Sequence, residues 1–186
     1  MKKLWAMLFC AVMLAGCVST PKEESALPFE IDPVATAEAP WAVGERIPDA
    51  MCSAPESRKC YRVFLGVTPD GHKVVQEFYA GDEVFSDPFL IKPTVDWDGI
   101  RALGYTVPYV QAVDGRLTYW FPNGAKFAEL VKNGDETLEV TMWHENGQVE
   151  SYVYIKDGVV ADAKEWDEQG SLIWEERHEM PSGIVD

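Results

Sequence analysis

The sequence predicts an all-β fold, an elongated antiparallel meander of repeated hairpins. Three observations predict it. A phrase that opens on tryptophan and closes on glycine occurs at 120–124, 143–147 and 166–170, stepping by 23 residues each time. A fixed period of that size marks a repeated supersecondary unit. Asn-Gly, Asp-Gly or Gln-Gly pairs end at Gly124, Gly134, Gly147, Gly158 and Gly170, and such pairs supply the positive φ of tight hairpin turns. Between them lie short runs such as 137–142 (Thr-Leu-Glu-Val-Thr-Met), which alternate polar and apolar as half-buried strands do.

The chain opens on an export signal. Lys2 and Lys3 precede an apolar run over 4–14, too short for a permanent membrane span. The run closes on Leu14-Ala15-Gly16-Cys17, which resembles the lipobox of bacterial lipoproteins. The resemblance implies cleavage before Cys17, lipid on that cysteine, and anchoring by several acyl chains at about 0.8 kcal/mol per buried methylene. Val18 stands where an aspartate would mark inner-membrane retention, so the expected address is the outer membrane, facing the periplasm. Residues 1–16 are thus a signal peptide.

Residues 17–50 read as a lipidated tether, rich in Ser, Thr, Pro, Ala and Glu without a sustained period. The island Trp41-Ala42-Val43 within it is a candidate for docking on the folded part. Of four cysteines, Cys10 leaves with the signal and Cys17 carries lipid, so Cys52 and Cys60 remain. In an oxidising compartment that pair predicts a disulfide. The other reading, a structural zinc site, needs two further thiols or imidazoles, and none is near in sequence.

Residues 51–113 form a degenerate N-terminal β part. Runs at 61–67, 72–79 and 83–91 read as strands, with turns at Asp70-Gly71 and Gly81-Asp82. An insertion at 92–104 breaks the rhythm and holds one helical turn. Strand character resumes over 105–113, and Asp114-Gly115 reads as a turn into 116–121. Residues 114–180 hold the regular repeats, giving up to ten strands between Tyr61 and His178. A faded earlier copy aligns Gly71 with Gly124 and Gly81 with Gly134, with Val67 in the tryptophan slot.

The period of 23, the hairpin in each unit and the aromatic four residues before the turn glycine resemble MORN repeats. The match is to the bacterial variant carried by exported lipoproteins and by antitoxin- or immunity-like proteins. The resemblance covers 116–179 well and 61–91 in degraded form. It implies an elongated antiparallel sheet that serves as a scaffold or interaction surface. Some members associate with phospholipid, but this chain lacks the Gly-x-Gly step of the eukaryotic repeats.

Charge narrows the partners. The net charge is −15, and loss of Lys2 and Lys3 takes it to −17. That balance repels nucleic-acid phosphates and anionic headgroups, so the expected partners are a protein and, through the lipid anchor, the membrane. Oligomeric state is left open by the sequence.

Candidate site residues have two readings each. Trp120, Trp143 and Trp166 should lie on every second strand and point to one face, about 10 Å apart. They read first as packing that seals unit against unit, and otherwise as an aromatic row that grips a sugar or a partner. His72, His144 and His178 read as solvated turn residues. The acids at turns (Asp135, Glu136, Asp157, Asp167, Glu168) read as edge protection. Asp96-x-Asp98-Gly99 faintly resembles a calcium loop, but Thr94 and Tyr105 occupy its first and twelfth places. No catalytic motif, metal site or cofactor motif is present in the sequence. The expectation is a non-catalytic envelope scaffold or adaptor whose sheet binds a protein or an envelope polymer. The alternative is an immunity- or antitoxin-like inhibitor of a basic effector.

Overall fold

The computed structural model describes residues 27–50, 52, 54–55, 58–104, 109–134 and 137–178. The expected signal peptide and lipidation site, Cys17, lie outside them, as do Asp135 and Glu136. The described chain is all-β, with nine strands in one open antiparallel sheet in sequential order. The strands are β1 (Cys60–Val67), β2 (Lys73–Tyr79), β3 (Phe89–Ile91), β4 (Val113–Trp120), β5 (Lys126–Asn133), β6 (Thr137–Trp143), β7 (Val149–Lys156), β8 (Val159–Trp166) and β9 (Leu172–Arg177). Helices are short: α1 (Pro33–Ala37), α2 (Trp97–Arg101) and α3 (Tyr109–Ala112). None is long and apolar enough to cross a membrane.

The turns explain the meander. At Gly124, Gly147 and Gly170 the chain makes the same loop: Phe121, His144 and Asp167 donate their N–H to the carbonyls of Ala125, Gln148 and Ser171, at 2.8, 2.9 and 3.0 Å. Each glycine adopts positive φ and returns its own N–H to the residue three before it. The side chains of Asn123, Asn146 and Asp167 accept backbone N–H groups two residues on, so they hold the loop shut. The loop at Gly71 has the same backbone bonds, between Thr68 and His72. Asp157-Gly158 is a different turn, with both residues at positive φ and Lys156 paired with Val159, as a two-residue type I′ hairpin requires.

Four expectations change. Residues 83–91 are a strand only at 89–91. The stretch before is pinned by single bridges, Phe78 with Val84 and Ser86 with Tyr119, because Pro88 has no N–H to continue a ladder. Asp114-Gly115 is not a turn but lies inside β4. Asp114 pairs with Leu90 of β3 while Gly115, at φ +70°, pairs with Lys132 of β5, so the glycine kinks the strand between its neighbours. The described end of the expected strand over 105–113 is instead the helical turn α3. The strands described number nine, within the expected limit of ten.

The fourth change concerns the tether. Its described part, residues 27–50, folds onto the sheet. Asp32 caps α1, its Oδ1 accepting the N–H groups of Val34 and Ala35, and Pro33 pre-sets the first turn. Trp41 and Ile47 are buried, and residues 44–47 exchange backbone bonds with Arg62 and Phe64 along the outer edge of β1. Gly66, at φ +138°, has no room for a β-carbon, which would meet Ile31 at 2.8 Å. The Cα atoms of Cys52 and Cys60 lie 5.9 Å apart in a disulfide that joins the chain just after this segment to the start of β1.

The core belongs to the first half. One face of β1–β4 carries Phe64, Val75, Phe89, Ile91, Val113 and Leu117, and Trp41, Ile100 and Leu103 cover it from above. The rings of Trp41, Phe64 and Trp97 meet edge-on at 5.5 to 6.1 Å. Beneath this lid Arg62 and Glu77, both fully buried, form an ion pair across β1 and β2. The Arg62 guanidinium also donates to the carbonyls of Ile100 and Leu103, so one buried cation ties the sheet to the end of α2.

Candidate binding surface

Pairing register assigns the faces of the second half. Leu130, Val140, Val153 and Ala163 stand opposite one another across β5–β8, and Ala128, Met142, Ser151, Glu165 and Trp174 form the next row across β5–β9. Both rows continue the core face, since Ala128 belongs to the hydrophobic cluster and Leu130 and Met142 pack against it. The cluster stops there. Val140, Val153 and Ile155 are half-buried on the same face without joining it. Alternation of side chains therefore presents an apolar strip on which no described helix lies.

The opposite face is polar and aromatic. Strand alternation places Trp120, Trp143 and Trp166 there, each half-buried and none in the hydrophobic cluster. Their cross-strand partners are Lys126, Val149 and Leu172. The Lys126 ammonium sits 4.9 Å from the centre of the Trp143 ring. Trp120 Nε1 donates to Asp87 at 2.9 Å. The tryptophan row thus belongs to its own face instead of filling the core.

Charges on this face answer one another. Arg116 and Lys126 both reach Glu129, at 2.7 and 3.2 Å. Burial pushes the Glu129 carboxyl up, but the two cations outweigh it and hold it below the usual value. Lys164 and Arg177 each approach Asp162 and Glu175, at 3.1 to 3.8 Å. Tyr152 lies among them, its phenol raised by burial and then by Glu139 and Asp162. Surface pairs of this kind contribute at most about 1 kcal/mol each.

The histidines do not converge. His144 joins neighbouring turns through Nε2 to the Trp166 carbonyl at 3.0 Å, beside a bond from Asn146 to the Glu168 carbonyl at 2.8 Å. His178 follows β9 and meets Glu176 at 2.9 Å. His72 is more enclosed: its ring bridges Asp70 at 3.0 Å and Asp114 at 2.9 Å, and Lys92 stands 3.8 Å from Asp114. Burial lowers the affinity of His72 for a proton, but the two carboxylates outweigh burial and raise it. Thr68 and His72 together hold the Asp70 carboxyl at about 2.

The Asp96-x-Asp98-Gly99 stretch is a helix start. Asp96 Oδ1 caps α2 by accepting the Gly99 N–H at 2.7 Å, and Asp98 pairs with Arg101. Among the described residues no three His, Cys, Asp or Glu side chains gather as metal ligands. A cavity of about 490 Å³ opens where Phe29 lies near Leu90 and Thr118, on the polar face of β3 and β4. Sequence reasoning missed this cavity, the buried Arg62–Glu77 pair and the bare apolar strip. Only the strip had a visible signal, in the alternation of Val140 with Met142 and of Val153 with Ile155.

No protein family, curated protein or solved structure matches this chain.

Proposed function

We propose that this chain is a non-catalytic, MORN-like lipoprotein of the bacterial envelope that binds a protein partner through the apolar face of β5–β9. The observation that carries the reading is where the hydrophobic cluster ends. The same face is covered over β1–β4, and beyond the cluster Val140, Val153 and Ile155 stay half-buried beside the buried Leu138 and Ala163, with no described helix over them. Half-buried apolar side chains with no described helix over them offer a surface that a partner can cover. The polar face is a weaker candidate, because several of its charges are paired and Lys126 caps the Trp143 ring.

A photoreactive residue at Val153 and another at Tyr154 test the reading in cells, because these neighbours point to opposite faces. The proposal expects one discrete adduct from 153 and none from 154. Adducts from 154 alone, or from neither, contradict it. The net charge of −15 favours a second reading, inhibition of a basic effector. That reading gains if the adduct at 153 is a single basic toxin-like protein, whereas recovery of envelope assembly proteins favours the scaffold.

A further inference from the structure

The two edges of the sheet are treated differently. Along β1 the outer backbone groups are taken by residues 44–47: Gly44 N donates to Phe64 O at 2.8 Å, Phe64 N to Glu45 O at 3.0 Å and Ile47 N to Arg62 O at 2.9 Å. No described segment pairs with the outer edge of β9. All six of its residues are exposed, among them Leu172 at 51%, Ile173 at 66% and Trp174 at 43%. An open edge with three consecutive large apolar residues is a template for another strand.

We propose that β9 pairs antiparallel with β9 of a second copy of this chain, continuing the sheet across a two-fold axis. The charge pattern selects the register. A two-fold that exchanges adjacent antiparallel strands runs perpendicular to the sheet and keeps each side chain on its own face. Opposed residues must therefore share a face, so the axis passes through one residue and its own copy. An axis at Glu175 sets two Glu175 carboxylates together, and one at Arg177 sets two guanidinium groups together. An axis at Glu176 places Glu175 opposite Arg177 of the second copy, twice, and Trp174 opposite His178. The two Glu176 carboxylates then face each other, one like-charge pair against the two Glu175–Arg177 pairs, each beside its own His178 ring at 2.9 Å. The Glu175 and Arg177 face already carries complementary charge from Lys164 and Asp162 of β8. Opposite charges directly across strands stabilise the pair and like charges oppose it.

Cysteine crosslinking of the full-length protein in membranes tests both the pairing and its register. Directly opposed residues have Cα atoms roughly 4.5–5.5 Å apart, within disulfide range, whereas residues two positions out of register exceed about 7 Å. Glu176→Cys should give a covalent dimer under mild oxidation. Glu175→Cys alone and Arg177→Cys alone should not, yet the two co-expressed should crosslink to each other. In the Glu176→Cys background, Arg177→Glu should cut the dimer yield by roughly tenfold, and adding Glu175→Arg should restore it. Thermal melts of each variant report folding separately. The proposal is overturned if folded Glu176→Cys gives no dimer or joins a different protein. It is equally overturned if all three single cysteines crosslink alike.

Discussion

Arg62 shows how much one side chain carries here. It is fully buried, it pairs with Glu77, and it satisfies the carbonyls of Ile100 and Leu103 at the end of α2. Removing one partner of a buried pair leaves the other charge uncompensated, at a cost of about 3–5 kcal/mol. Arg62→Ala should therefore destabilise the protein by that amount in urea denaturation. The double variant Arg62→Met with Glu77→Met should recover most of the loss, since a well-packed apolar pair removes the stranded charge. His72 carries a second effect, with a defined sign. Its affinity for a proton is raised in the folded state from 6.5 by Asp114 and Asp70, against burial. That contribution is fully present below pH 6.5 and is lost as pH rises through the raised folded value. Melting temperature should fall over that window in the native protein, and the fall should flatten in His72→Gln. Neither residue could be assigned from sequence. Arg62 and Glu77 sit 15 positions apart in strands whose pairing is a tertiary outcome, and His72 finds Asp114 only because β3 is inserted between β2 and β4.

At the scale of elements, the hairpins were legible and their coverings were not. Loops at Gly124, Gly147 and Gly170 depend on local chemistry, an Asn or Asp side chain holding backbone N–H groups and a glycine at positive φ. Asp114-Gly115 carries the same signal yet stays in a strand, because pairing to β3 and β5 outweighs turn preference. Residues 27–50 were hard to read for a related reason. The Trp41-Ala42-Val43 island was legible as a docking point and Trp41 does enter the core, but Ile47 is a single apolar residue with no period, and only the core it covers explains it. The tryptophan row belongs to this scale as well. Trp143 is half-buried and stacked by Lys126, outside the hydrophobic cluster. Trp143→Ala should cost about 1–3 kcal/mol while the sheet stays folded, measured by denaturation and far-ultraviolet circular dichroism. Partner binding through the other face should survive. Loss of binding with the fold and stability intact would return the row to the candidate site.

Across the whole molecule, one sheet does two jobs. Its first half is a closed domain, roofed by residues 27–50 and by α2, with a buried ion pair beneath. Its second half is a single layer on which no described helix lies. An isolated single-layer sheet has little to hold it, and the continuous ladder from the closed half supplies that support. The candidate site was only partly legible for this reason. Strand alternation reveals which residues share a face, but which part of that face is roofed depends on a segment far away in sequence. The bare strip is the central claim, and hydroxyl-radical footprinting tests it most directly by comparing side-chain oxidation in cells with that of the purified protein. Met142 and Trp174 on the apolar face should be protected in cells, while Trp143 and Tyr152 on the polar face should react equally in both. Equal oxidation of Met142 and Trp174 in the two states, or protection confined to Trp143 and Tyr152, would contradict it.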